Sequence, residues 1–398
     1  MIETTSPQFW RATLALCLAS FIIFANLHGM QPLLPMLSQS LGRTELDMSH
    51  AYTIATLVLG LSLLIYGPLS DVLGRRGILL WTLAGVCLTT LSLSFVQDYS
   101  TLFWLRALQG FFLAGVPAVA IAYMGDEFTK PALVAAVGLY IAGNSLGGVT
   151  GRLLSGFLGD WLGWSSVFLF LGVASSLGLL IVLWLLPRSQ HFKPAEFRPK
   201  KMTTDMLSHL RNPVLSLAYI IGGLNFLVFL NQYTYITFVL AGEPFNLSAT
   251  WIGLLFLTYL TGTLGSLLSG RLSQRLSSPL CMGLGILIML LGSLSTLSLT
   301  LTGIVLGFFI SSFGFFLTHS VASSWVSQQA THARGTASAL YLVFYYVGAS
   351  VGGIYLNPFW SYAGWPGVVL ASGLIFAITT TCAMILWWWQ RTRVNVVA

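Results

Sequence analysis

Twelve apolar stretches of about 20 residues or more follow one another along this chain, each cut off by charge, Pro or Gly, and no water-soluble fold accommodates that pattern. Their approximate limits are 12–37, 49–70, 77–96, 100–124, 133–157 and 165–187, then 212–240, 249–270, 279–299, 303–328, 336–358 and 365–388. Each stretch is long enough to cross the roughly 30 Å hydrocarbon core of a bilayer as a helix rising 1.5 Å per residue. In lipid a spanning segment must satisfy its own backbone hydrogen bonds, which continuous apolar runs do only as helices. A barrel would show alternation over ten-residue segments instead. The expected fold class is an all-α membrane protein of twelve transmembrane helices. Composition agrees, since 56% of the 398 residues are hydrophobic and only 7% are charged. At a mean hydropathy of +0.83, too few polar side chains remain to cover a water-facing surface.

The positions of Lys and Arg set the orientation, because cytoplasmic loops accumulate them. Fifteen of the 18 fall in one set of loops together with both termini, at Arg11, Arg75, Arg76, Lys130, Arg188, Lys193, Arg198, Lys200, Lys201, Arg211, Arg271, Arg275, Arg334, Arg391 and Arg393. Only Arg43 lies in the opposite set, while Arg106 and Arg152 lie within spans. Both termini are therefore expected in the cytoplasm. The formal charge of +7 is accounted for by this topology without a nucleic-acid partner. The first apolar run is too long for a signal-peptide core and reads as an uncleaved span. Cys17, Cys87, Cys281 and Cys382 are scattered singly in apolar stretches and read as small core hydrophobes, with no metal-ligand spacing.

The longest hydrophilic stretch, about 188–211, divides the chain into an amino-terminal set of six spans, 1–187, and a carboxy-terminal set, 212–398. The two sets carry matching segments. Gly67-Pro-Leu69-Ser70-Asp71-Val-Leu73 lines up with Gly270-Arg-Leu272-Ser273-Gln274-Arg-Leu276, Gly110-Phe111-Phe112 with Gly307-Phe308-Phe309, and Gly163-Trp164 with Gly364-Trp365. The offsets are 203, 197 and 201. Repeats at half-chain spacing are characteristic of carriers built from two bundles, with the binding site near the midplane.

The segment Gly67 to Arg76 packs Gly67, Asp71, Gly74, Arg75 and Arg76 into a short cytoplasmic turn. Glycines there permit close approach, and Asp71 can cap a helix or pair with arginine. It resembles the signature loop of the major facilitator superfamily, Gly-x-Leu-x-Asp-x-x-Gly-Arg-Arg, and the two-by-six layout extends the resemblance over nearly the whole chain. That resemblance implies a conformational latch formed by Gly67, Asp71, Gly74, Arg75 and Arg76 at the cytoplasmic ends of the bundles. In the second half Gln274 replaces the acid. Asp126 and Glu127, where span four meets the cytoplasm, fall where the family has an inner charge network, with solvated loop charges as the plainer alternative.

Span four contains Leu102-x-x-x-Arg106-x-x-Gln109-Gly110, similar to the family's second motif, whose arginine is linked to proton coupling. Charge inside a bilayer costs on the order of 3 kcal/mol on insertion scales, so a partner is expected. Span five carries a helix-packing ladder, Gly143, Gly147 and Gly151, at i, i+4 and i+8. It resembles the antiporter motif of the drug/proton antiporter branch, but has Gly148 at the proline position and Arg152 at the last glycine. Asn144, Gly148 and Arg152 share one helical face. Arg106 and Arg152 should sit at similar depth, and no Asp or Glu falls in the interior of any span. A bound anion or carboxylate is then a natural partner, the alternative being that Arg152 caps carbonyls or pairs with Asp160.

The other polar groups expected within spans are Asn26, His28 and Gln31 in the first, Asn225, Asn231 and Gln232 in the seventh, and His319 in the tenth. His28 and His319 alone among these titrate near neutrality, so either is a candidate to carry a coupled proton, alongside Arg106 and Asp126; helix packing is the competing role. The substrate-binding candidates are Arg106, Arg152, Asn144, Asn26, His28, Gln31, Asn225, Gln232 and His319. Tyr233, Tyr235, Tyr259, Tyr341, Tyr345 and Tyr346 line an aromatic cavity or simply pack. Gly143-Asn-Ser145-Leu-Gly147 fits a nucleophile-elbow pattern but lies in mid-helix. No Gly-Lys pair exists for a nucleotide-binding loop. No catalytic constellation or cofactor motif is found, so an enzyme is not expected.

The resemblance extends within the antiporter branch to bacterial YnfM-type permeases. It implies a monomeric, multi-pass inner-membrane carrier that exports a small amphipathic compound, an anionic one by the arginine argument, against proton entry by alternating access. Symport of a small organic anion with protons is the alternative, and a channel or membrane enzyme a more distant one.

Overall fold

The computed structural model describes residues 1–192, 194 and 199–397. Lys193 and Arg198 of the linker lie outside the described residues. Among the described residues regular structure is helical, apart from one bridge pairing Ile2 with Phe128. The first part of the chain forms α1 (Pro7–His28), α2 (Leu34–Leu41), α3 (Glu45–Leu73), α4 (Arg75–Leu93), α5 (Tyr99–Leu113), α6 (Gly115–Glu127) and α7 (Lys130–Leu185). The remainder forms α8 (Pro199–Arg211), α9 (Pro213–Ala241), α10 (Ala249–Leu254), α11 (Tyr259–Leu276), α12 (Ser278–Ser295), α13 (Leu301–Gln329) and α14 (Arg334–Val397).

Among the described residues ten helical runs are long and apolar enough to cross a membrane. Two of them hold two expected spans each. A straight helix of 56 residues, as in α7, would extend about 84 Å, nearly three bilayer cores. Its backbone leaves helical geometry at Gly163, with φ 78° and ψ 160°, a region open to glycine for want of a Cβ. The 64-residue α14 breaks in the same way at Gly364, with φ 59° and ψ −139°. These are the two halves of the Gly-Trp repeat.

Helix starts follow from short polar residues placed just ahead of apolar runs. Ser6 accepts from the Phe9 amide at 3.2 Å with Pro7 in the first turn. Thr44 and Asp47 form a reciprocal capping box, and Asp98 accepts from the Thr101 amide at 3.0 Å. Between α3 and α4 the chain turns at Gly74, φ 99°, and between α11 and α12 at Ser277, φ 71°, 203 residues on. Ser70 bonds to the Gly67 carbonyl at 2.7 Å, and Ser273 to the Gly270 carbonyl at 3.1 Å. The repeat therefore preserves the geometry of the turn even where it loses the glycine and the acid.

The side chains sort as they do in lipid. Trp104 is 66% exposed and Leu180 60%, while Arg106 on the same helix as Trp104 is 0% exposed. A surface of large apolar groups around buried polar ones is stable only where the outer solvent is hydrocarbon.

The chain forms two compact units. The first comprises Met1–Phe197 with Leu240–Gly242 and Asn246–Phe256; the second comprises Arg198–Val239, Glu243–Phe245 and Leu257–Ala398. The short segments after α9 group with the first unit for local reasons. The Asp160 carboxylate accepts from the Ala249 amide at 2.9 Å and the Thr250 amide at 2.8 Å, capping the start of α10. Gly156 lies against the Ala249 backbone. Asp160, weighed from the sequence as a partner of Arg152, thus spends its oxygens on α10.

Within the first unit, Gly143, Gly147 and Gly151 of α7 meet the backbone of α1 at Cys17, Phe21 and Ala25 respectively. Each step on both helices is four residues, so the two backbones run in contact for more than two turns. At the matching offset of 201 in the second unit, Gly348 meets the Gly223 backbone.

Candidate functional site

Gly29 follows α1, and a 3-10 turn over Gln31–Leu33 carries the chain into α2. A helix leaves its last carbonyls without intrahelical donors. Arg106, projecting from α5, supplies donors there: Nη1 to the Asn26 carbonyl at 3.3 Å and Nη2 to the Leu27 carbonyl at 3.1 Å. A cation at a helix C-terminus also gains from the macrodipole. Nη1 bonds in addition to Oε1 of Gln109, one turn along α5.

From Gln109 a polar chain crosses the unit. Gln109 Nε2 donates to Thr90 Oγ1 at 2.7 Å, Thr90 donates to Asn26 Oδ1 at 2.7 Å, and Asn26 Nδ2 donates to Ser175 Oγ at 2.8 Å. α1, α4, α5 and α7 are therefore joined through neutral groups to one guanidinium. Buried polar networks of this kind are stable where their members are satisfied; Arg106 Nε, buried with no hydrogen-bond partner among the described residues, is an exception in this one.

A second chain begins where the first ends along α1. Arg152 Nε donates to Gln31 Oε1 at 2.9 Å and Nη1 to the Gly148 carbonyl at 3.1 Å. Its guanidinium lies 4.6 Å from the centre of the Phe256 ring, within cation–π range. Tyr52 Oη donates to the same Gln31 oxygen at 3.1 Å and stands 2.9 Å from His28 Nδ1. Gln31 and Tyr52 are fully buried, Arg152 is nearly so, and His28 is half-buried. Asn144, one helical turn from Gly148, keeps a buried Oδ1 with no hydrogen-bond partner among the described residues.

The first unit thus brings together six of the residues singled out from the sequence: Arg106, Arg152, Asn26, His28, Gln31 and, on the neighbouring turn, Asn144. Tyr52, Thr90, Gln109 and Ser175 complete the chains. Gln109 stood beside Arg106 in its motif, but nothing in the sequence separates Thr90 or Ser175 from the many hydroxyls that bond to their own helix.

The second unit repeats the neutral part of this arrangement. Gln232 Nε2 donates to Ser372 at 2.8 Å, and Ser293 donates to Gln232 Oε1 at 3.0 Å. Asn26 to Gln232, Thr90 to Ser293 and Ser175 to Ser372 are separations of 206, 203 and 197 residues. The arginines are not repeated, since the offsets of 197 and 201 place Gly303 and Gly353 at their positions. Asn225 accepts from Thr379 at 3.1 Å, and Asn231 donates to the Ala349 carbonyl at 2.7 Å.

His319 lies 3.0 Å from the Tyr341 hydroxyl and 4.7 Å, centre to centre, from the Tyr345 ring. Tyr345 stacks on Phe226 at 3.7 Å. Tyr233 bonds to Ser312 at 2.8 Å and Tyr235 to the Gly353 carbonyl at 3.2 Å. Phe226, Phe229, Phe315, Tyr341 and Tyr345 pack ring against ring with His319, and the described hydroxyls hold helices together.

At the α3–α4 turn of the first unit Arg75 forms ion pairs with Asp71 and, at 3.1 Å, with Asp126. Arg76 donates to the Leu186 carbonyl at 3.2 Å and the Leu183 carbonyl at 3.3 Å. The neighbouring Glu127, only 2% exposed, turns away from this pair. Its Oε1 accepts from the Gln190 amide at 2.8 Å and the His191 amide at 3.0 Å, and its Oε2 lies 3.0 Å from His191 Nδ1. Its backbone carbonyl accepts from the Ile2 amide at 2.7 Å. Two adjacent acids therefore hold different elements, the α3–α4 turn and the start of the linker.

Twelve spans folded as two units with repeated polar chains, and a charged turn between the second and third, describe a solute carrier. The chain belongs to the Major Facilitator Superfamily, whose family model matches residues 16–353. It is a multi-pass membrane transporter and not an enzyme. It is 37% identical over 377 residues to the inner membrane transport protein YnfM of Escherichia coli, covering 95% of this chain and 90% of that one. The uncharacterized MFS-type transporter YybF of Bacillus subtilis is 36% identical over 368 residues, covering 92% and 91%.

Among solved structures the fold matches a bacterial homolog of the human lysosomal transporter Spinster with a TM-score of 0.73 at 16% identity, covering 96% of this chain and 95% of that one. It matches the nucleoside transporter NupG with a TM-score of 0.76 at 14% identity, covering 94% and 98%.

Proposed function

We propose that this protein is a proton-coupled secondary active transporter that moves a small amphipathic organic anion across the inner membrane by alternating access between its two bundles. The observation that carries this reading is the pair of buried guanidinium groups, Arg106 and Arg152, held on either side of the end of α1 among carbonyl and amide oxygens. Neutral acceptors satisfy hydrogen bonds without cancelling charge, so the site keeps a positive potential in a medium of low dielectric. Arg106 is sealed among its acceptors and sets the field. Arg152, Gln31 and the half-buried His28 supply the groups a substrate meets.

The family branch it resembles implies export against proton entry. Uptake of an anion together with protons is the second reading, and it is favoured by the cationic character of the site, because a proton and an anion attract one another there.

Purified protein reconstituted in liposomes, with an internal pH dye, tests both. Anionic, neutral and cationic amphipaths are added in turn to the wild type and to Arg152→Ala. Proton movement with anions alone, absent in a folded Arg152→Ala, is the expected result, and its sign separates export from uptake. Equal responses to cationic compounds in both proteins would assign Arg152 to the scaffold. Full transport by Arg152→Lys, with Arg152→Ala failing only because it does not fold, would do the same.

A further inference from the structure

We infer that His28 is the proton-carrying group of the first unit, and that proton and anion bind there cooperatively. The inference rests on the anion reading above and adds to it the carrier of the proton and the sign of the coupling.

The geometry singles out His28 over His319. His28 Nδ1 stands 2.9 Å from Tyr52 Oη, which reaches Gln31 Oε1 at 3.1 Å, the same oxygen that receives Arg152 Nε at 2.9 Å. Three bonds therefore connect the imidazole to the arginine. His319 meets Tyr341 within packed aromatic rings, with no cation in its chain.

A phenol has one hydrogen to give. When His28 carries N–H at both ring nitrogens, Nδ1–H donates to Tyr52 Oη and the Tyr52 hydrogen is free for Gln31. When His28 is neutral with its hydrogen on Nε2, Nδ1 accepts the Tyr52 hydrogen and Gln31 loses that donor. Each proton gained at Nδ1 is thus reported to Gln31, and through it to Arg152, by the turn of one hydroxyl.

The charged and titratable groups facing the ring are Tyr52 from α3, Arg106 from α5 and Arg152 from α7, and no Asp or Glu lies in the interior of any span. With both arginines cationic, a third positive charge is opposed by the site and relieved by an anion in it. Unit charges 6–8 Å apart at an effective dielectric of about 20 change one another's affinity by roughly 30- to 100-fold. A proton and an anion that help each other to bind travel in the same direction, and mutual exclusion would be needed for exchange.

The test is binding of 2-naphthoate, a flat fluorescent carboxylate, to wild-type protein in nanodiscs between pH 5 and 9, beside His28→Gln and Tyr52→Phe. The wild-type affinity is expected to weaken at least tenfold as pH rises through the titration of His28. In His28→Gln the dependence should vanish. Tyr52→Phe keeps the imidazole and is expected to retain a pH dependence with a displaced midpoint, which serves if His28→Gln does not fold. Affinity that strengthens with pH, or a pH dependence unchanged in His28→Gln, overturns the inference while leaving an anion site in place. Absence of carboxylate binding at every pH, with cationic or neutral amphipaths binding instead, refutes the anion reading on which it rests.

Discussion

Replacing Gly147 by Ala tests whether the contact between α1 and α7 sets the spacing of the site. A Cβ at this position would stand 2.7 Å from the Phe21 Cα and 2.9 Å from its carbonyl carbon, and nearer still to the Phe21 oxygen. Ordinary contact begins at 3.4 Å, so the backbones must part by at least 0.7 Å, the difference between 3.4 and the 2.7 Å to the Phe21 Cα, and by more to clear the oxygen. Neither partner can yield by turning a side chain, because the atoms met are backbone. Arg152 lies little more than one turn beyond Gly147 and moves with the helix. Its 2.9 Å bond to Gln31 would then stretch to about 3.6 Å or beyond, which no longer counts as a hydrogen bond. Overpacking of this kind costs about 1–3 kcal/mol, a fall in melting temperature on the order of 5 °C for a unit of this size.

The measurement is thermal unfolding of the purified protein alongside the liposome proton-flux assay. Gly138→Ala is the control, since a Cβ at that exposed position on the same helix meets nothing within 4 Å. Gly138→Ala should melt and transport as the wild type does or melt slightly higher, while Gly147→Ala should lose stability and flux together. If the two variants behave alike, the glycine ladder does not determine the distance between α1 and α7, and the geometric argument for the site fails with it.

Three further outcomes are expected. Arg106→Lys cannot reach the Asn26 and Leu27 carbonyls and Gln109 at once, leaving buried acceptors that cost about 1–3 kcal/mol each; unfolding at wild-type temperature would show that the forked contact carries no stability. Asp160→Ala removes the cap of α10, worth about 0.5–2 kcal/mol, and should speed hydrogen exchange at Ala249 and Thr250, whereas unchanged protection there would deny the cap. Glu127→Ala should release the linker start, so that the Gln190 and His191 amides exchange faster while the interior of α4 stays protected; His191→Gln, which keeps both amide bonds to Glu127, should have a smaller effect.

Much of this arrangement is legible in the linear order of residues. The apolar runs mark the spans, and Gly163 and Gly364 mark reversals that the helical trace nearly conceals. The spacing of Gly143, Gly147 and Gly151 announces a close neighbour without saying which helix it is. Arg106 and Arg152 stand out because charge in a span is expensive wherever the span is placed. Other members of the site leave no such mark. Thr90 and Ser175 look like the hydroxyls of Thr82, Thr89 and Ser176, which bond back to their own helices. Only packing brings Thr90 within 2.7 Å of an amide 64 residues away, or Ser175 within 2.8 Å of the same amide across 149.

The separate duties of Asp126 and Glu127 are invisible for the same reason, since adjacent acids on a helix end point in different directions and the linker must fold back before Glu127 has anything to hold. The grouping of residues 246–256 with the first unit likewise depends on Asp160, about 90 residues earlier, meeting the start of α10.

Membrane residence, the number of spans and the twofold repeat were determined by the sequence alone. Transfer into lipid is a sum over residues taken in order along the chain, and short-range turn chemistry punctuates that sum. Which acceptor each arginine finds, which hydroxyl clamps which amide and how His28 comes to be three bonds from Arg152 were decided by tertiary structure. Hydrogen bonds and charge interactions depend on ångström-scale distances between residues far apart in the chain, and those distances do not exist until the helices have packed.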